Sequence, residues 1–212
     1  MGDSGSFFRL DRFFSIKLDF MNMDALLARR VHDLRKACGL TLDQLAERSG
    51  VSRSMISLIE RQETSPTASI LNKLADALGV TLPALFTTGT DTPEREPLAR
   101  AADQPSWTDP ASGYVRRHVS PGHGVSPIEL VEVRFPPGQT VTFDNPTRSL
   151  VTHQQVWMLE GSMQITAGEQ AWLLHAGDCL AMELGPQIRF HNPTRLGARY
   201  ALAIATTPRH RT

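Results

Sequence analysis

The spacing of apolar residues changes once along this chain. Up to about residue 86 they recur every three or four positions, and from Gly113 onward they alternate nearer to every second one. Leu27, Val31 and Leu34 step by four and three, which predicts a helix ending near Gly39. In TLDQLAERSGVSRSMISLIER, residues 41–61, Leu42, Leu45 and Ala46 form a second apolar stripe. Thr41 suits the N-cap, and Gln44 three residues later completes a capping box. Gly50 follows where the chain leaves the helix in a left-handed conformation. Ser52 caps a third helix whose Met55, Ile56 and Ile59 face inward. Ser65-Pro66-Thr67 opens a fourth, carrying Ile70, Leu71, Leu74 and Leu78 before Gly79. TLPALF predicts a short fifth with Leu82, Leu85 and Phe86.

From Gly113, short β-prone runs recur: YVRRHV, IELVEVRF, TVTF, QQVWMLEG, SMQIT, QAWLLHA, CLAMEL, QIRFHN and ARYALAIA. Gly- and Pro-containing turns separate them, which predicts an antiparallel sandwich or barrel. The chain therefore divides into a leader at 1–22, a helical domain at 23–88, a linker at 89–112, a β-domain at 113–207 and a tail at 208–212. In the leader, Phe7, Phe8, Phe13, Phe14 and Phe20 are interrupted by Arg9, Asp11, Arg12, Lys17 and Asp19. That is not the continuous apolar centre of a signal peptide, and a poorly ordered segment is expected. The linker is rich in Thr, Pro, Ala and charge, with Trp107 as a docking contact.

Charge narrows the partners. The 212 residues carry 22 Lys and Arg against 22 Asp and Glu, so no global basic field draws the protein onto nucleic acid. Any DNA binding must use a few well-placed groups and helix N-termini. Cys38 and Cys179 fall one in each half, which excludes a disulfide framework and points to the reducing cytoplasm. No apolar run is long enough to span a membrane.

Five short helices, with a tight-turn pair second and third, resemble the phage-repressor-like (XRE) helix-turn-helix family over about residues 26–86. In the second half, PPGQTVTF, then VWMLEGSMQIT, then LLHAGDCLAMELGPQIRFHN resemble the cupin family over about residues 127–206, with Asn192 closing the second motif. Joined, the two resemble bacterial XRE/cupin transcriptional regulators. The implied fold is an all-α, five-helix lambda-repressor-like domain followed by an all-β cupin domain, a double-sheet jelly roll. The implied function is sequence-specific binding of double-stranded DNA, as a homodimer on a palindromic operator. The cupin domain would sense a small-molecule effector, dimerise, or both.

On this reading Arg53, Ser54 and Ser57 face base edges, Arg53 suiting a guanine through its bidentate fork. Helix starts at Thr41, Gln44 and Ser52, and again at Thr67 and Ser69, face phosphates, with Arg61 adding a contact. Glu60 is expected to be structural, paired with Arg30 or Arg35.

Metal-binding cupins carry two His, a Glu and a further His. Counted from the turn at Gly161 and from Asn192, these positions fall on Arg148, Leu150, Gln154 and Ile188. No metal, cofactor or catalytic group is therefore expected. His153 and His191 lie one residue off, on the opposite face of their strands, and His118, His123 and His175 stand at no ligand spacing. Alternation places Gln154, Val156 and Met158 inward, together with Ile188 and Phe190. They line a small-molecule pocket or simply fill the core. Trp157 and Leu159 point the other way, toward the second sheet or a dimer partner. Two rival functions remain: a metal-dependent cupin enzyme with a DNA-binding domain, and an antitoxin-like interaction module.

Overall fold

The computed structural model describes residues 10–86, 97–121, 126–144 and 150–208. Four α-helices come first: α1 (Leu10–Ala37), α2 (Leu42–Ser49), α3 (Arg53–Glu60) and α4 (Ala68–Ala77). The helix α1 starts inside the segment expected to be a poorly ordered leader. Neither Gly nor Pro interrupts residues 10–37, so nothing local stops the helix there.

The capping box at α2 forms as read: Gln44 Oε1 accepts from Thr41 N at 2.8 Å, and Thr41 Oγ1 accepts from Gln44 N at 3.2 Å. Gly50 ends α2 at φ 64°, and Ser52 Oγ accepts from Met55 N at the start of α3. The expected fifth helix is a single 3-10 turn, Pro83–Phe86. Pro83 has no N–H, and Ala84 and Leu85 bond back three residues, to the carbonyls of Thr81 and Leu82. Leu27, Val31, Leu45, Ile56, Ile59, Leu71, Leu74 and Leu85 are buried together, each worth roughly 1.5–3 kcal/mol of burial.

Among the described residues ten strands follow: β1 (Ser106–Thr108), β2 (Val115–His118), β3 (Ile128–Phe135), β4 (Thr140–Asp144), β5 (Leu150–Glu160), β6 (Ser162–Ala167), β7 (Gln170–His175), β8 (Cys179–Glu183), β9 (Gln187–His191) and β10 (Ala198–Pro208). They form two antiparallel sheets, ordered β1-β2-β3-β10-β5-β8 and β4-β9-β6-β7, the double-sheet jelly roll expected. Val131, Leu202 and Val156 make one inward row across the larger sheet, and Val133, Tyr200 and Met158 the next. Met163, Ile165, Ile188 and Phe190 meet them from the smaller sheet. Asn192 is buried where the motif predicts it. Its Nδ2 donates to Leu196 O at 2.8 Å and Pro136 O at 3.2 Å, tying two loops together.

The strand β1 lies within the segment read as a linker. Trp107, 2% exposed, is the reason: its ring packs 5.7 Å from Phe86 and 5.9 Å from Tyr114. Three residues are too few to show a period, so the composition signal prevailed in the sequence. The segment then turns at Asp109, whose Oδ1 accepts from Ala68 N at the start of α4. With α4 lying on β4, and Asn72 Nδ2 donating to Asp144 O at 3.0 Å, the helices and the barrel share one core. Among the described residues no helix is long and apolar enough to cross a membrane.

The turn at Gly161 has φ 75°, and a Cβ there would lie 2.8 Å from Gly197 O. Gly161→Ala is expected to cost ~2–4 kcal/mol, combining left-handed strain with overpacking. Gly168→Ala, at φ 58° with nothing within 4 Å, should cost only about 1 kcal/mol. Urea midpoints of the two variants check the difference.

Candidate DNA-binding face and barrel cavity

The second helix of the turn pair, α3, is held from behind by a buried ion pair. Glu60 accepts from Arg35 Nε at 2.6 Å and from Arg35 Nη2 at 2.7 Å, with both side chains under 10% exposed. Arg35 Nη1 also donates to Leu40 O, and His32 Nδ1 lies 2.9 Å from Glu60 Oε2. Of the two partners left open by the sequence, Arg35 takes Glu60, while Arg30 Nε donates to Ala84 O. Ile56 and Ile59 are buried on the same side of α3.

That leaves Ser52, Arg53, Ser54 and Arg61 exposed, with Ser57 half-buried on the same flank. Arg53 Nε sits 3.1 Å from Asp43 Oδ1, and Arg61 Nε 3.1 Å from Glu63 Oε1. Exposed pairs of this kind contribute at most about 1 kcal/mol, so both guanidiniums exchange readily to another acceptor. Thr41 and Gln44 are exposed beside them, at the N-terminus of α2.

The start of α4 is arranged differently. Asp109 takes the Ala68 N–H, and Thr67 Oγ1 takes that of Ile70, while Thr67 and Ser69 are half-buried. A protein carboxylate thus already occupies the place expected for a phosphate. No local pattern signals this, because the acid comes from 41 residues downstream.

The jelly roll meets the helical domain at an open space. A cavity of about 80 Å³ opens between the sheets and the helical domain. Gln154, Ile188 and Phe190 line it, as the alternation predicts. Val156 and Met158 face inward too, but are buried in the core outside the lining. The remaining barrel wall includes Tyr114, Arg116, Phe135, Thr152 and Tyr200. The opposite wall comes from α4 and the residues after it, including Asp76, Val80, Leu82 and Pro83.

Arg116 is fully buried, and desolvation pulls its pKa down. Burial likewise pushes the Tyr114 phenol up to about 12, and Tyr200 higher still. His118, packed 4.7 Å from the Phe86 ring, is held well below its usual pKa by burial and by the Arg116 charge.

Where metal cupins carry Glu and His, this barrel presents Gln154 and Ile188. His153 is exposed on the opposite face, and His191 Nδ1 pairs with Thr140 Oγ1 at 2.9 Å. Among the described residues no three His, Cys, Asp or Glu side chains cluster to hold a metal. Arg148 and His123, and the side chain of Leu150, lie outside what is described.

An exposed helix after a tight turn, braced from behind, defines a protein of the helix-turn-helix class. A family model described as helix-turn-helix, HTH_3, matches residues 31–85. The control protein C.SmaI of Serratia marcescens is 41% identical over 68 residues, covering 32% of this chain and 81% of C.SmaI. The HTH-type transcriptional regulator PuuR of Escherichia coli K12 is 27% identical over 167 residues, covering 77% of this chain and 86% of PuuR. A solved HTH_3 family transcriptional regulator from Vibrio cholerae shares the fold, with a TM-score of 0.69 at 24% identity, over 89% of this chain and 99% of that one. The chain belongs to the HTH_3 helix-turn-helix family. It is a transcriptional regulator with a helix-turn-helix DNA-binding domain and a double-sheet β-domain.

The brace behind α3 is pH-sensitive. Burial pushes the Glu60 carboxyl up, but hydrogen bonds from Arg35 and His32 outweigh it and hold the pKa below its ordinary value. The stabilisation is present above the unfolded pKa of about 4.3 and is lost as pH falls through the lowered folded value. Glu60→Gln is expected to cost roughly 3 kcal/mol at pH 7, by leaving Arg35 buried without its counter-charge. It should also flatten the acid limb of stability, measured by denaturation between pH 3 and pH 7.

Proposed function

We propose that this protein is a one-component regulator that binds a palindromic double-stranded operator as a homodimer in the cytoplasm, with the β-domain as sensor and dimerisation unit. The observation that carries this reading is the shared cavity. Its wall is built partly by the barrel and partly by α4 and residues 79–83 of the DNA-binding domain. A molecule filling it touches both domains at once. The helix α4 in turn packs against α2, within the core that also positions α3. A ligand with unequal affinity for two arrangements of this junction would therefore bias the spacing of the paired reading helices.

Base reading is assigned to Arg53, Ser54 and Ser57, and phosphate contacts to Arg61 and the α2 start at Thr41 and Gln44. One such domain makes few contacts, so two are needed, on half-sites about 34 Å apart or a multiple of that. The outer surface of the six-stranded sheet supplies a face for pairing. Trp157 is 53% exposed there, Ile128 48% and Leu130 44%, with Ala201, Ala203 and Ala205 between them on β10.

Arg53→Ala should lower specific operator affinity by about 1–3 kcal/mol without changing the circular dichroism spectrum. Footprinting on the protein's own promoter region measures it, and unchanged protection would remove Arg53 from the reading face. Light scattering should find a dimer at micromolar concentration. Trp157→Glu should shift it toward monomer and weaken operator binding in parallel. A wild-type protein that stays monomeric would overturn the dimer.

A further inference from the structure

Three polar side chains on the cavity wall, Tyr114, Arg116 and Gln154, carry donor groups with unfilled hydrogen-bonding capacity. Arg116 lies on β2 opposite Val133, is 4% exposed, and lines the cavity. Among the described residues its Nε has no hydrogen-bond partner. The Tyr114 hydroxyl lies against the same guanidinium, near enough for a weak hydrogen bond with it, and makes no other among the described residues. Gln154 Nε2, on the same lining, also has no partner among the described residues. Burying a guanidinium with an open N–H costs several kcal/mol, and an apolar side chain of similar volume would avoid that cost. A barrel that only needed filling has no use for Arg116.

The rest of the lining is apolar, with Phe135, Phe143, Phe190, Ile188, Leu184 and Leu202. The space therefore suits a molecule with an apolar body and one acceptor-rich head. One guanidinium matches one negative charge, and its planar fork matches a carboxylate. Glu129, near enough to Arg116 to interact with its charge, and Asp76, on the helical wall, both disfavour a second negative charge in the ligand. An ammonium head would meet the buried guanidinium as a like charge. At about 80 Å³ the cavity admits roughly five to eight non-hydrogen atoms, taking about 10–15 Å³ for each water-sized group.

We propose that this cavity binds a small monocarboxylate with an apolar body, its carboxylate paired with Arg116 and hydrogen-bonded by Tyr114 and Gln154. This rests on the sensor reading above and adds the chemical class of the ligand.

The test uses the full chain and matched head groups on one body: isovalerate, isovaleramide and isoamylamine, with butyrate and butyramide as a second pair. Thermal shift and calorimetric titration are the readouts. The carboxylates should raise the melting temperature with concentration, and the amides and the amine should bind at least tenfold more weakly. Arg116→Met should weaken isovalerate binding by roughly 10- to 100-fold, the range for hydrogen bonds to a charged group. Arg116→Lys should recover part of that loss. Because the head-group series needs only the wild-type protein, it stands even if Arg116→Met fails to fold. If the amine or an amide binds as well as its acid, the carboxylate assignment falls and the sensor reading survives. If none of the five compounds binds, the carboxylate assignment falls, and operator binding that no wider set of small molecules alters would take the sensor reading with it.

Discussion

The packing of Phe86 against the barrel is the contact on which the architecture depends. Phe86 closes the helical domain, yet its ring meets Trp107 at 5.7 Å and His118 at 4.7 Å. Trp107 meets Tyr114 edge-on, and Tyr114 stacks on Phe135 at 5.6 Å, so the rings lead from the helical core to the cavity wall. Each pair adds about 0.5–1.5 kcal/mol beyond the area it buries. Asp109 fastens the same junction by capping α4 from the barrel side. Interiors packed this closely do not deform continuously, so any change of tilt between the domains has to repack these rings.

Two buried arginines show how partners decide roles. Arg35 has Glu60, His32 and the Leu40 carbonyl within reach, and it serves to hold α3 in place. Arg116 is equally buried, with Tyr114, Tyr200 and Glu129 near enough to act on its charge, but its Nε has no partner among the described residues. The first has its desolvation offset inside the protein. The second faces the cavity with its Nε unpartnered among the described residues. The brace behind α3 and the cavity wall thus use the same residue type in opposite states of satisfaction.

Much of the helical domain was legible from local chemistry. The Thr41–Gln44 box, the Ser52 cap, the left-handed Gly50 and the buried faces of α2 and α3 all depend on residues a few positions apart. The barrel strands were legible from alternation, and the jelly roll from its Gly161 and Asn192 landmarks. The remaining features left no local pattern to read. The strand β1 is too short to alternate. Asp109 caps α4 from 41 residues away. Gln62 ends α3 at φ 62°, where Gly would have signalled the turn. In YVRRHV, Arg116 and Arg117 point to opposite faces, and nothing in the run says which face is inside. The one available signal was that Tyr114, Arg116 and His118 share a face at period two, a polar row on what becomes the inner side.

The sequence alone determined the periods, the caps and the order of elements, because these arise from contacts within a turn or between alternate residues of one strand. It also placed Gln154 and Ile188 where metal cupins carry ligands. Only the tertiary structure decided that Val156 and Met158 fill the core while Gln154, Ile188 and Phe190 border open space. It alone put Asp76 and Leu82 across a cavity from Tyr114 and Arg116. Burial and cavity shape are set by which distant surfaces meet, and no local pattern carries that information.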